Sequence, residues 1–325
     1  MLAHFVRRLS GVAMYIDVPR RLVFFDKSDS IRPACLTQYD PDTGALTHPV
    51  GPQADDKVCD ISRDGRRMAL QGTDWQVVRG ASRSRLSVVE DRATLHQTDR
   101  FLSYWSHLDP SGRYALVGVG NGKKRPLVID LDHGECSEPI ARNVDARFGW
   151  IDPVQGKLWA PDERAGNSVL TVDCASGEIN KITLALDAKA RSLRFSRDGQ
   201  YLFVTGENNR LLCCDRNGAT LWSRDIGEYG QVGAGTILFN ESATHLCLPI
   251  SATQRSNWGE DIILAADSGH TETTVVRQKG PPGRLAADWF GDQLLTHRLE
   301  VVDFFSGAVV DVLDMTCALP SDGHL

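Results

Sequence analysis

Residues 190–226, ARSLRFSRDGQYLFVTGENNRLLCCDRNGATLWSRDI, constrain the fold more than any other stretch of the chain. Four short runs rich in Leu, Val, Phe and Tyr, at 191–195, 200–205, 210–214 and 219–223, have the length and composition of β-strands. Ser196-Arg197-Asp198-Gly199, Gly206-Glu207-Asn208-Asn209 and Asp215-Arg216-Asn217-Gly218 separate them. Asp and Asn bond their own backbone in such turns, Gly accepts positive φ, and Asn-Gly is a hairpin signal. The segment is predicted to be a four-stranded antiparallel meander, with strands a to d. Strands b and c are apolar at consecutive positions, which fits strands covered on both faces. One such sheet cannot cover both of its own faces, so the chain must supply neighbours built the same way.

It does. Turns between a and b fall at Pro19-Arg20, Asp64-Gly65, Ser111-Gly112, Gln155-Gly156, Asp198-Gly199, Ser242-Ala243 and Phe290-Gly291, about 43–48 residues apart. Turns between c and d repeat in step at Asp40…Gly44, Glu90-Asp91-Arg92, Asp130…Gly134, Asp173…Gly177, Asp215…Gly218, Asp267…Gly269 and Asp303…Gly307. The period is that of one propeller blade. The prediction is an all-β, seven-bladed β-propeller of four-stranded antiparallel blades, forming one domain over 1–325. The blades run approximately over residues 11–50, 57–95, 103–140, 145–184, 190–226, 234–276 and 284–315. Closing the ring removes exposed sheet edges. Each repeat has four strands of its own, so segment 4–9 is not required as a latch.

The pattern S-x-D-G-x-φ-φ-φ at 62–70 and 196–204, with D-x-x-x-G later in the repeat, resembles bacterial WD40-like or YVTN-type seven-bladed propellers. The resemblance covers about residues 11–315. WD40 repeats end strand c in Trp-Asp and open with Gly-His; neither stands at the matching positions here, and Trp75 of Asp74-Trp75 falls in a loop. The resemblance therefore implies an architecture and carries over no residue roles.

Composition agrees with a globular protein: 325 residues, 42% hydrophobic and 24% charged. No apolar run is long enough to span a membrane, and the N-terminal stretch lacks the features of a signal peptide. Eight Cys at irregular spacings without Cys-x-x-Cys read as reduced, buried thiols in the cytoplasm. Cys213 and Cys214 point to opposite faces of a regular strand, against a shared metal role.

Ligands of propellers usually meet the face built from b–c loops and interblade links, or the central channel. The second and sixth b–c loops are long: 72–84, with Trp75, Arg79 and Arg83, and 251–259, with Arg255 and Trp258. The third carries Lys123, Lys124 and Arg125. Trp and Arg are enriched at interface hot spots. The seven loops together are mildly positive although the chain is −6, favouring an acidic protein partner by complementarity. Lys and Arg at hairpin tips also serve solubility alone.

For the channel, aligning strand a on its turn gives the column Tyr15, Asp60, His107, Trp150, Arg194, Leu238 and Asp288. The next column, Ile16, Ile61, Leu108, Ile151, Phe195, Phe239 and Trp289, is apolar and reads as interblade packing. In the first, Asp60, His107 and Asp288 could hold a divalent ion or act as base and orienter. The alternative is a set of mutually bonded polar groups, with Arg194 neutralising an Asp.

Gly118-Val119-Gly120-Asn121-Gly122-Lys123 matches a phosphate loop by letters, but a strand follows where a helix is needed. A sequence pI of about 5.9 disfavours nucleic acid. Asn240-Glu241-Ser242 is an accidental glycosylation match. The expectation is a cytoplasmic, non-enzymatic, protein-binding scaffold without cofactor, acting as adaptor, assembly factor or inhibitor of a partner such as a toxin or enzyme. The alternative is a channel-centred, metal-dependent lactonase- or hydrolase-like enzyme.

Overall fold

A computed structural model describes residues 11–17, 22–27, 36–40, 43, 45–47, 57–62, 64–74, 83–90, 93–98, 103–119, 125–140, 142–144, 146, 149–196, 198–229, 231–232, 237–240, 242–251, 259–277, 286–290, 293–296, 300–303 and 308–312, some of them by backbone alone. Segment 4–9 lies outside them. The described residues form seven antiparallel sheets in chain order. The first contains β1 (Gly11–Asp17), β2 (Leu22–Lys27), β3 (Leu36–Asp40) and β4 (Ala45–Thr47). The second contains β5 (Lys57–Ile61), β6 (Arg67–Asp74), β7 (Arg83–Glu90) and β8 (Ala93–Thr98). The third contains β9 (Ser103–Leu108), β10 (Tyr114–Val119), β11 (Arg125–Asp130) and β12 (Glu135–Cys136). The fourth contains β13 (Trp150–Ile151), β14 (Lys157–Pro161), β15 (Ser168–Asp173) and β16 (Ile179–Thr183). The fifth contains β17 (Ala190–Phe195), β18 (Leu202–Gly206), β19 (Arg210–Cys214) and β20 (Thr220–Asp225). The sixth contains β21 (Gln231–Val232), β22 (Leu238–Phe239), β23 (His245–Ser251), β24 (Gly259–Ala265) and β25 (Thr271–Arg277). The seventh contains β26 (Ala286–Phe290), β27 (Gln293–Thr296), β28 (Glu300–Val302) and β29 (Val309–Val312).

Each sheet is a meander of successive strands, so a, b, c and d of every repeat are neighbours in that order. Two elements depart from the expected strands. The first strand of the sixth sheet is two pieces, β21 and β22, both paired with β23. Strand d of the third sheet is only two residues long as β12, although Ser137 N–H still donates to Val128 and Ile140 N–H to Pro126. The apparent phosphate loop joins the antiparallel strands β10 and β11, a hairpin.

Burial explains the consecutive apolar positions. Alternate residues of a strand enter different cores, one on each side of the sheet. In β18, Leu202 and Val204 pack toward the fourth sheet with Trp159 and Val169, while Phe203 packs toward the sixth with Phe239 and Leu246. Cys213 and Cys214 divide in the same way. Ala115, Val117 and Ile129 of the third sheet meet Leu86 and Val88 of the second, and Leu116 and Val128 meet Leu158 and Leu170 of the fourth. Leu108, Ile151, Phe195 and Phe239 of the apolar column are buried. The outer strand β20 reads mostly exposed, with Leu221 at 53%.

First strands of neighbouring sheets touch: β1 meets both β5 and β26, β5 meets β9, β13 meets β17, and β22 meets β26. Two bonds of the a–b turn recur in four of the repeats. The residue after strand a receives a backbone bond at its carbonyl, as Ser62 does from Gly65, Asp109 from Gly112, Ser196 from Gly199 and Asn240 from Ala243. Its side chain bonds the start of strand b: Ser62 Oγ accepts from Arg67 N–H, Asp109 from Tyr114, Ser196 from Tyr201 and Asn240 Oδ1 from His245. Asn240 also donates to Ser242 and Thr244, so its amide is committed to the turn. At the c–d turns Asp130, Asp173 and Asp215 accept backbone N–H bonds from two residues on. In the sixth sheet that turn begins at Ala265, which bonds His270 and Gly269, so Asp267 stands two places later than the repeat implies.

The turn glycines give a paired test. Gly134 has φ +69° with nothing within 4 Å of an added Cβ, whereas Gly199 has φ +67° and its Cβ would stand 2.8 Å from Val154 Cγ2. Gly134→Ala is expected to cost about 1–2 kcal/mol for the backbone alone. Gly199→Ala is expected to cost at least about 1 kcal/mol more, because Val154 must also move. Urea unfolding midpoints of the two variants check the difference.

Candidate functional site

On the b–c face, one continuous arc is described, running from the link before the fourth sheet to the link after the fifth. Leu184 N–H donates to Asn167 and Ala190 N–H to Gly166, tying the fourth b–c loop to the following link. Glu207 N–H donates to Lys189 and Ile226 N–H to Asn209, tying that link to the fifth loop and the next link. Asp162, only 3% exposed, lies at the centre of the fourth loop. Its Oδ1 accepts from Arg164 N–H, and its Oδ2 lies 3.4 Å from Arg142 Nη2 and 3.6 Å from Lys181 Nζ. In the link before the fifth sheet, Asp187 accepts from Asn208 of the fifth loop and pairs with Arg210 at 3.4 Å.

The expected face residues divide by what is described. Trp75, Arg79, Lys123, Lys124, Arg255 and Trp258 lie outside the described residues. Arg83 opens β7 opposite Asp74, its side chain outside them. Arg125 opens β11, half-buried. Arg142, in a link, and Lys181, on an outer strand, stand outside the b–c loops, and Asp162 stands in a b–c loop of ordinary length with no Trp or long basic run to mark it. A lone Arg in a polar link carries no sequence signal of a buried carboxylate beside it.

The polar column of the first strands forms a belt between sheets. Asp60 Oδ1 accepts from Ile61 N–H at 2.9 Å, and its Oδ2 accepts from Leu108 N–H of the third sheet at 3.0 Å. His107 Nδ1 lies 3.7 Å from the same oxygen, and its Nε2 is 3.2 Å from the carbonyl of Ala146, just before the fourth sheet. Trp105 of β9 donates from its indole to the carbonyl of Val144. The Arg194 guanidinium of the fifth sheet lies over the Trp150 ring of the fourth, 4.6 Å from its centroid, and donates to the carbonyl of Ile237 at the sixth. From the second sheet to the sixth, each junction of first strands is bridged by a column side chain or its neighbour. Arg194 thus joins three sheets, stacking on Trp150 and donating to Ile237. The side chain of Asp288, on β26, lies outside the described residues. Both ring nitrogens of His107 face acceptors, and both oxygens of Asp60 hold backbone N–H groups. Among the described residues no three His, Cys, Asp or Glu side chains cluster closely enough to hold a metal ion.

The opposite face is shaped by turns. Arg67 joins the second sheet to the third, donating to the carbonyl of Gly112 and pairing with Asp132 at 2.7 Å. Arg113 donates to Asp130 at 2.9 Å, and this bond holds the Asp130 carboxyl well below the usual carboxylate range. An open cleft of about 410 Å³ between the fifth and sixth sheets is lined by Tyr201, Asp198, His245 and Asp267 among others. Of the described cysteines, Cys136 is exposed and Cys174, Cys213, Cys214 and Cys247 are buried as free thiols. Burial pushes the Cys213 and Cys214 thiols up to about 12, which leaves them protonated and unreactive at neutral pH. Among the described residues no helix is long and apolar enough to cross a membrane.

No protein-family model matches the chain. Among solved structures it is similar to the β-propeller domain of Myceliophteria thermophila Cps50 (Swd1), with a TM-score of 0.61 and 12% sequence identity. The match covers 91% of this chain and 95% of that one. At that identity the likeness concerns fold alone: an all-β, WD40-like propeller type.

Two outcomes are expected. Asp60→Ala strands two backbone N–H groups at the junction of the second and third sheets, a loss of about 1–3 kcal/mol read by urea unfolding; Asp60→Asn, which keeps an acceptor, loses less. An unchanged midpoint for Asp60→Ala would remove the belt. Asp130, its folded pKa depressed, contributes stability that is present above the ordinary carboxylate pKa and is lost as pH falls through the folded one. A ¹³C NMR titration of its carboxyl should find it ionised below the usual range, and Arg113→Gln should return it toward that range.

Proposed function

We propose that the chain is a seven-bladed β-propeller, closed where its first and seventh sheets meet, that acts as a non-enzymatic, cytoplasmic protein-binding scaffold through its b–c loop face. The partner is a protein with an acidic surface, and the scaffold serves as adaptor, assembly factor or inhibitor of it. The observation that carries this reading is the commitment of Asp60, His107 and Arg194 to bonds between sheets. The side chains nearest the axis hold the sheets together, whereas the b–c face gathers irregular loops on a rigid body, where binding residues concentrate. Trp75 and Trp258, in its two long loops, are the anchors, flanked by Arg79, Arg83 and Arg255.

The competing reading, a metal-dependent lactonase- or hydrolase-like channel enzyme, needs an ion held by Asp60, His107 or Asp288. It predicts bound metal in the purified protein and loss of function in Asp288→Ala.

The test is a quantitative pull-down from the native host with the intact protein and with Trp75→Ala/Trp258→Ala. The double variant is expected to lose its specific partner by at least about tenfold, since hot-spot truncations cost about 2 kcal/mol or more. Retention of every partner overturns the loop-face reading.

A further inference from the structure

The described arc of the b–c face is more basic over the third and fourth sheets than over the fifth. Around the third and fourth sheets stand Arg125, Arg142, Arg164 and Lys181 against Asp162 and Glu163, and Lys123 and Lys124 directly precede Arg125 in the chain. Around the fifth sheet the signs balance, with Asp187, Glu207, Asp225 and Glu228 against Lys189, Arg191, Arg210 and Arg224, the last paired with Glu228 at 3.6 Å.

Within this arc one pair of side chains is informative. Arg125 and Arg210 each open the third strand of their sheet, at the b–c end, and each has an Nε shielded from solvent without a hydrogen-bond partner. Arg210 has a counter-charge, Asp187, which its Nη1 approaches at 3.4 Å. The half-buried guanidinium of Arg125 has no ion pair or hydrogen bond among the described residues. A cation partly withdrawn from water without an acceptor is unfavourable, and the guanidinium fork matches a carboxylate in geometry and charge. Beside it in the chain fold, the carbonyl of Pro126 accepts from Ile140 N–H, which brings in the link carrying Arg142. Arg142 shares the single carboxylate of Asp162 with Lys181, so that cluster also holds more positive charge than it neutralises.

We infer that a carboxylate of an acidic protein segment docks on Arg125 in the sector over the third and fourth sheets, doing there what Asp187 does for Arg210. The inference rests on the proposed role of the b–c face and adds to it the sector and the chemistry of the contact.

The probe is a fluorescein-labelled decaglutamate peptide, titrated against the full-length protein by fluorescence anisotropy at low salt. Arg125→Gln is expected to weaken binding about tenfold, the loss typical of one charge-assisted contact. Arg125→Lys keeps the charge without the fork and should weaken it about threefold. Arg210→Gln should change it less than about twofold. The melting temperature should not fall in Arg125→Gln, since no internal partner is lost. Absence of peptide binding, equal weakening by Arg125→Gln and Arg210→Gln, or tighter binding of an oligothymidylate of equal charge overturns the inference. Loss of the native partner in Trp75→Ala/Trp258→Ala but not in Arg125→Gln removes the acidic contact and leaves the loop-face reading standing. Retention in both removes the loop-face reading itself.

Discussion

Burial of both faces of a sheet between its neighbours, as in the third, fourth and fifth sheets, is the constraint on which the structure depends. A four-stranded meander has two apolar surfaces and no means of covering either. Phe203 shows the consequence: it is fully buried, yet its aromatic neighbours Phe239 and Trp222 come from the next sheet and from its own outer strand. Leu202 and Val204, one residue to either side, belong to the opposite core. Stability in this arrangement is shared between adjacent repeats, as in other repeat architectures. The polar belt along the first strands adds direction to this packing. Apolar contact fixes that two sheets face each other, while the bonds of Asp60 to Leu108 and of Arg194 to Ile237 fix how far one first strand is displaced along the next.

The belt bears directly on function. A column of Asp, His, Trp and Arg near a propeller axis has the composition of a catalytic or metal site. Among the described residues the bonds of this column run from sheet to sheet. Asp60 presents one oxygen to its own strand and the other to the next sheet, and His107 reaches from one sheet to the approach of another. Between the second and sixth sheets the residues form a chain of contacts from one sheet to the next.

Much of the fold was legible because the same few physical demands recur at fixed spacing. Gly65, Gly112, Gly156 and Gly199 all take positive φ, so the turn glycines marked the period. Consecutive apolar residues in the second and third strands marked two-sided burial. What escaped was structure built on exceptions. The division of the sixth first strand into β21 and β22 lies in the Gly-rich run Gly230–Gly235, where the sequence gives no strand periodicity to read. Ala265 occupies the place of the turn aspartate in the sixth sheet, and Asp267, two residues on, imitated it by letter. The site was less legible than the fold. Loop length and charge pointed to a face, but the cluster around Asp162 joins a loop, a link and an outer strand, residues 142, 162 and 181, whose proximity exists only after the sheets have packed.

This construction also accounts for a likeness of fold at 12% identity over most of two chains. Inter-sheet cores ask for apolar residues on both sides of a strand, and the turns ask for a residue that tolerates positive φ with a short polar side chain a few positions before it. Ser62, Asp109, Ser196 and Asn240 meet that second demand with three different residue types within one chain, and Ala243 takes φ 55° where the second to fifth repeats use Gly65, Gly112, Gly156 and Gly199. If repeats inside one protein are free to differ this far while keeping one geometry, separate chains can differ further. Fold similarity of this kind therefore carries no residue roles with it. Function has to be argued from features that break the repeat, and on this molecule those are the long second and sixth b–c loops, the basic third loop, and an Arg125 that lacks the counter-charge its repeat-mate Arg210 possesses.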